Sequence, residues 1–190
     1  MLSYKFENFN SEEFKLVKEV FETIPYMDVN IAHIVEEYIY SMNREYYDDG
    51  YLQYEYRKKG DVFDGVFRQW EYNETLVLEC YFKDGKEHGE YKRWNTRGEM
   101  TKKCYYNEGK LEGEYKQWFE NGQLHVQKYF KKGNLEGEYK QWFENGQLYI
   151  QSYHKEGKLE GECKAYNNEG NLIYHEMYKD GYSIEDFIKS

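Results

Sequence analysis

The sequence predicts a mainly β protein, an elongated single-layer antiparallel meander of 24-residue hairpins with a small N-terminal helical cap. Three observations carry that prediction. The first is self-similarity: "EGEYKQWFENGQL" stands at 112–124 and again, letter for letter, at 136–148. The second is repeated glycine punctuation within each unit, which would destroy helices and suits turns between strands. The third is alternation within aromatic-rich runs such as "GEYKQWFE". A unit of 24 is also too short for two helices with their turns, which sets aside a helical solenoid.

The repeats define columns. Gly65, Gly89, Gly113, Gly137 and Gly161 are spaced by 24, as are Trp70, Trp94, Trp118, Trp142 and Tyr166. Gly98, Gly122, Gly146 and Gly170 keep the same step, with Leu76, Met100, Leu124, Leu148 and Leu172 beside them. Tyr81, Tyr105, Tyr129 and Tyr153 form another column, and Gly85, Gly109, Gly133, Gly157 and Gly181 close each unit. A degenerate first unit, "REYYDDGYLQYEYRKKG" at 44–60, precedes the five clear ones over 44–181.

Each unit reads as two strands joined at Asn-Gly (121–122, 145–146) or Asp49-Gly50, the strongest short hairpin signal, expected as a type I′ turn. Asn73-Glu74 lacks the glycine, so a looser turn is expected there. Six hairpins give about twelve strands and a sheet roughly 50–55 Å long. Parity places Tyr115, Gln117 and Phe119 on one face and Glu114, Lys116, Trp118 and Glu120 on the other. With a two-residue turn, Leu124, Val126 and Phe130 join the Tyr115 face while His125, Gln127 and Tyr129 join the Trp face; a bulge would alter the second strand's assignment.

Here the residues carry a resemblance. "GKLEGEYKQWFENGQL" resembles the MORN repeat in its variant form. The resemblance implies a β-hairpin repeat fold and a scaffold, a dimerisation element or a lipid binder. Similar proteins include bacterial antitoxin-like proteins and repeat proteins of large DNA viruses, which implies an adaptor or antitoxin alternative and a viral source.

Residues 1–43 do not repeat. "NSEEFKLVKEVFETI" has helical apolar spacing and an Asn10-x-x-Glu13 capping box, and Pro25 ends it. "DVNIAHIVEEYIYSM" reads as a second helix and "SIEDFIK", within 182–190, as a short C-terminal helical cap. The N-terminal helices are expected to cap the sheet. "IPYMDVNIAHIVEEYIY" also resembles the leading helix of the F-box adaptor motif, although the repeats begin before that motif's later helices could follow.

Composition excludes several functions. A formal net charge of −10 disfavours nucleic acid and anionic membranes. Mean hydropathy is −1.09 yet one residue in five is aromatic, so amphipathic rings replace an aliphatic core. Three cysteines without a CxxC pair give neither a disulfide framework nor a zinc motif, and are expected as small strand residues in a reducing cytoplasm. The start lacks the pattern of a signal peptide, and no apolar run reaches membrane-spanning length. Five scattered histidines without ligand spacing, no G-x-S-x-G and no glycine loop opening a helix point to no metal, no cofactor and no enzyme.

The expected partner is a protein or an extended peptide, with homodimerisation as a companion. Its candidate contacts are Trp70, Trp94, Trp118, Trp142 and Tyr166, with Lys92, Lys116 and Lys140 beside them. Successive Trp lie two strands apart, about 9.6 Å, close to three residues of extended chain. The alternative for that column is packing, each Trp stacked on Tyr rings across strands. The Lys column also invites a phosphoinositide reading, weakened by a Glu two residues before each Lys.

Overall fold

A computed structural model describes residues 42–59 and 61–185. The helices expected over 10–41, and with them the helical cap, lie outside the described residues. The chain divides after Ser41, and the sheet lies in the unit that begins at Met42. Met42 and Asn43 are already strand.

The strands are β1 (Met42–Tyr46), β2 (Leu52–Lys59), β3 (Val62–Trp70), β4 (Leu76–Lys83), β5 (Lys86–Glu87), β6 (Gly89–Trp94), β7 (Met100–Asn107) and β8 (Lys110–Leu111). They continue as β9 (Gly113–Trp118), β10 (Leu124–Lys131), β11 (Asn134–Trp142), β12 (Leu148–Lys155), β13 (Lys158–Tyr166), β14 (Leu172–Lys179) and β15 (Tyr182–Ser183). All belong to one antiparallel sheet in which neighbours in sequence are neighbours in space. β5 and β8 are the detached beginnings of the strands that β6 and β9 continue; the same stretch is unbroken in β11 and β13. Ile184 and Glu185 turn helical after β15.

Two kinds of turn alternate, and they exchange the roles that the sequence suggests. The type I′ turns lie between units: Lys131 pairs with Asn134 across Lys132-Gly133, whose φ values are 51° and 86°. Asp84-Gly85, Glu108-Gly109, Glu156-Gly157 and Asp180-Gly181 repeat this double positive φ. The Asn-Gly turns are wider. Trp118 pairs with Leu124, and five residues close the loop, with Gly122 N–H donating to Phe119 O (3.0 Å) and Phe119 N–H to Gln123 O (2.9 Å). Only Gly122 has positive φ (81°), so the turn is not type I′. Asn121 instead uses its side chain: Oδ1 accepts from Gln123 N–H (2.9 Å). The expected loosening at Asn73-Glu74 is absent. Glu74 takes φ 61° and closes the same Glu71–Thr75 bonds as its glycine counterparts.

Beside each wide turn sits a bulge. In β10 the register steps from Leu124↔Trp118 to Val126↔Gln117, leaving His125 extra. Val126 and Phe130 lie on the Tyr115 face and Gln127 and Tyr129 on the Trp face, as parity gives. Leu124 and His125 are the corrections. Leu124 stands opposite Trp118, whereas His125 stacks on Phe119 (4.1 Å) and reaches Gln141 (3.2 Å) on the Tyr115 face. The bulge therefore moves the Leu column to the Trp face. A second bulge needs the first glycine column: Gly89 has φ 108°, and a Cβ there would stand 3.3 Å from Tyr81 Cβ.

The Tyr115 face, hereafter the Tyr face, is the packed one. Phe67 stands opposite Cys80, Tyr91 opposite Cys104 and Tyr139 opposite Ser152. Those three small residues are buried, as is Val126 on the same face. Rings lean on one another around this floor: Phe63 on Phe82 (5.3 Å), Tyr91 on Tyr106 (5.9 Å), Tyr115 on Phe130 (6.1 Å) and Tyr139 on His154 (5.9 Å). Burial pushes the Cys80 thiol up to about 12, so this free cysteine is a packing residue and not a nucleophile.

Candidate interaction faces

On the Trp face the columns come into register. Trp70, Trp94, Trp118, Trp142 and Tyr166 end β3, β6, β9, β11 and β13, each opposite Leu76, Met100, Leu124, Leu148 or Leu172. The four Trp and Tyr166 are half-buried. Among the described residues no ring pair includes a Trp, so stacking on Tyr neighbours does not account for the column. Tyr81, Tyr105, Tyr129 and Tyr153 stand exposed on the same face.

The Lys column is neutralised where it stands. Lys92 pairs with Glu90 (2.5 Å), Lys116 with Glu114 (2.9 Å), Lys140 with Glu138 (2.8 Å) and Lys164 with Glu162 (2.6 Å). The spacing i, i+2 puts each pair on one face of one strand. Lys103 and then Lys92 hold the Glu90 carboxyl below its ordinary value, and Lys140 does the same for Glu138. Burial raises Glu114, but Lys116, Gln127 and Tyr129 outweigh it and the net shift is downward. At the N-terminal end Arg68 bridges Glu55 (3.0 Å) and Glu79 (2.8 Å).

The glycines mark backbone positions. Gly98, Gly122, Gly146 and Gly170 have φ of 78–87° in the wide turns, and Gly89, Gly113, Gly137 and Gly161 have φ of 73–108° at the second bulges. Between wide turns runs a ladder that sequence reading missed: Asn73 donates to Thr96 O (3.0 Å), Arg97 to Glu120 O (3.0 Å), Asn121 to Glu144 O (2.9 Å) and Asn145 to Asn168 O (3.0 Å). The opposite turn edge has its own: Glu112, Glu136 and Glu160 accept from the N–H of Lys132, Glu156 and Asp180 (2.7, 2.8 and 2.9 Å). The signal was in the sequence, because Asn73, Asn121 and Asn145 keep the 24-residue step.

Sequence reading also missed cations on the Tyr face. Arg93, Lys102 and Lys128 stand where the adjacent units carry neutral residues, and form no ion pair among the described residues. Among the described residues no group of His, Cys, Asp and Glu could hold a metal ion, and no helix is long and apolar enough to cross a membrane.

The MORN repeat variant family matches residues 111–132, 135–156 and 159–180. Such repeats are in general non-catalytic and typically contact proteins or membranes. No curated protein matches the chain. Among solved structures, a crystal structure of TarM is similar at 9% identity and a TM-score of 0.31, over 74% of this chain and 25% of that one. A mutant of S. aureus TarM with fondaparinux, α-GlcNAc-glycerol and UDP gives 12% identity and 0.32, over 83% and 32%. The chain thus spans a third or less of those proteins. Three consecutive repeats within 111–180 thus match the MORN repeat variant.

Proposed function

We propose that the protein is a non-enzymatic scaffold that binds another protein through its Trp face. The observation that carries this is a set of five half-buried rings, Trp70 to Tyr166, at one step along one face and free of ring partners among the described residues. Their spacing of about 9.6 Å fits every third residue of an extended segment. The Lys–Glu pairs beside them give that segment alternating charge without a net field, which favours a protein partner over an anionic membrane. Buried free thiols at Cys80 and Cys104 suit a reducing, cytoplasmic setting.

The test is affinity purification from the native source with wild type and a Trp118→Ala/Trp142→Ala variant whose fold is checked by circular dichroism. Loss of the wild-type partners is expected. A folded variant that keeps all of them removes the Trp face from the site.

Self-association is a second reading, favoured by β14. Leu172, Ile173 and Tyr174 are exposed along this last long strand, and β15 pairs only with Tyr178 and Lys179. Light scattering at two concentrations checks it, and a monomer at both ends it.

A further inference from the structure

Three side chains of the Tyr face run against the logic of their columns. Arg93 takes the place held by Gln69, Gln117 and Gln141. Lys102 takes that of Leu78, Val126 and Ile150, and Lys128 that of Cys80, Cys104 and Ser152. Lys102 Nζ lies 4.7 Å from the Tyr91 ring centre and 5.2 Å from that of Tyr115. Lys128 Nζ lies 4.6 Å from Tyr115 and 5.3 Å from Phe130. Two ammonium groups thus reach one ring from strands on either side of β9, and Arg93 stands directly opposite Lys102.

Among the described residues no carboxylate forms an ion pair with them. Among the described residues of β6, β7, β9 and β10, none on this face is acidic. Glu87 of β5 stands opposite Phe82, at the other strand end. Burial, and then Lys102, lowers the Lys128 pKa, so this charge is held at a cost to the folded state. The neighbouring units show that a small neutral residue fits the same place. On a chain of net charge −10, whose other face pairs its lysines, this is a local reversal of sign. An open cleft of about 490 Å³, lined in part by Glu71, Leu78, Tyr91, Arg93 and Thr101, adjoins it.

We propose that the Tyr face over β6 to β10 docks an acidic, extended segment of a partner protein, with carboxylates against Arg93, Lys102 and Lys128 and apolar side chains on Tyr91 and Tyr115. Charge complementarity supplies the occupant's sign, and the rings supply its apolar half. A protein segment fits better than an anionic bilayer. The chain's net charge of −10 repels such a surface. This site lies on the face opposite the Trp column, so either can fail without the other.

The test is fluorescence anisotropy of the full chain with a labelled twelve-residue peptide of repeated Asp-Phe-Ser-Glu, at about 50 mM salt. The expected result is saturable binding, weakened about tenfold or more by Asn/Gln in the peptide and by Lys102→Gln/Lys128→Gln in the protein. Lys116→Gln/Lys140→Gln on the other face should change it less than about twofold. Lys128→Gln relieves a buried charge, so its melting temperature should not fall, and Lys102→Gln alone gives an independent reading. The proposal is overturned if the acidic peptide does not bind, or if both double variants weaken it equally. It is also overturned if phosphatidylserine vesicles, and not the peptide, show the Lys102/Lys128 dependence. Dimerisation abolished by Lys102→Gln/Lys128→Gln would assign the face to a second copy instead.

Discussion

The two faces of this sheet are made from alternate residues of the same strands, yet they solve different problems. The Trp face keeps its rings apart and cancels its charges within each strand, Glu114 against Lys116 and Glu138 against Lys140. The Tyr face brings rings together over Cys80, Cys104 and Ser152 and leaves its cations on aromatic faces. Among the described residues the sheet is a single layer. The Tyr face therefore packs through rings wide enough to cover small neighbours, and the Trp face through charge pairs within each strand.

That contrast can be broken most directly at Tyr115. Tyr115→Ala removes the ring that meets Phe130 and carries Lys102 and Lys128, and should cost about 3 kcal/mol by chemical denaturation. Tyr129→Ala, 37% exposed on the other face, should cost about 1 kcal/mol. Equal losses would mean that the two faces carry the fold alike.

Gly89→Ala tests the bulge that aligns both faces. Positive φ and the approach to Tyr81 predict a loss of about 2 kcal/mol. Gly113→Ala, with nothing within 4 Å of its Cβ, should lose about 1 kcal/mol. A reversed order in thermal melts would show that the contact at Tyr81 does not matter.

His154→Phe sharpens the packed face. Nδ1 of His154 is buried without a hydrogen-bond partner, burial lowers its pKa, and Phe130 fills the same column one unit earlier. The substitution should add about 1 kcal/mol. It should also remove a pH dependence. A histidine with a lowered folded pKa loses its stabilising neutrality as pH falls below the unfolded value of 6.5, so wild type should begin to weaken there and the variant should not.

The smallest effect belongs to the paired face. Lys116→Gln should change stability by about 0.5 kcal/mol or less, because the pair is half in water. The carboxyls of Glu90 and Glu138 are held down by their lysines, so their contribution is present above pH 4.5 and is lost as pH falls through the lowered folded values. Added salt should flatten that acid limb. A limb of unchanged steepness in high salt would place its cause elsewhere.

The sequence by itself determined the period, the hairpin, the alternation within strands and the Lys–Glu pairs two residues apart. Each depends on contacts close in the chain or on exact repetition, so a column of letters suffices. Only the tertiary structure decided which turn is type I′, where Leu124 and His125 point, and which side chains remain without a charged partner. Asn-Gly is compatible with a tight turn, but the bulge at His125 and the bond from Asn121 to Glu144 favour the wider one. That choice is settled by hydrogen bonds to the next unit, 23 residues away, which no local pattern contains. The Tyr-face cations were hidden for a related reason: Lys102 and Lys128 are 26 positions apart in sequence and meet only because adjacent strands bring both to Tyr115.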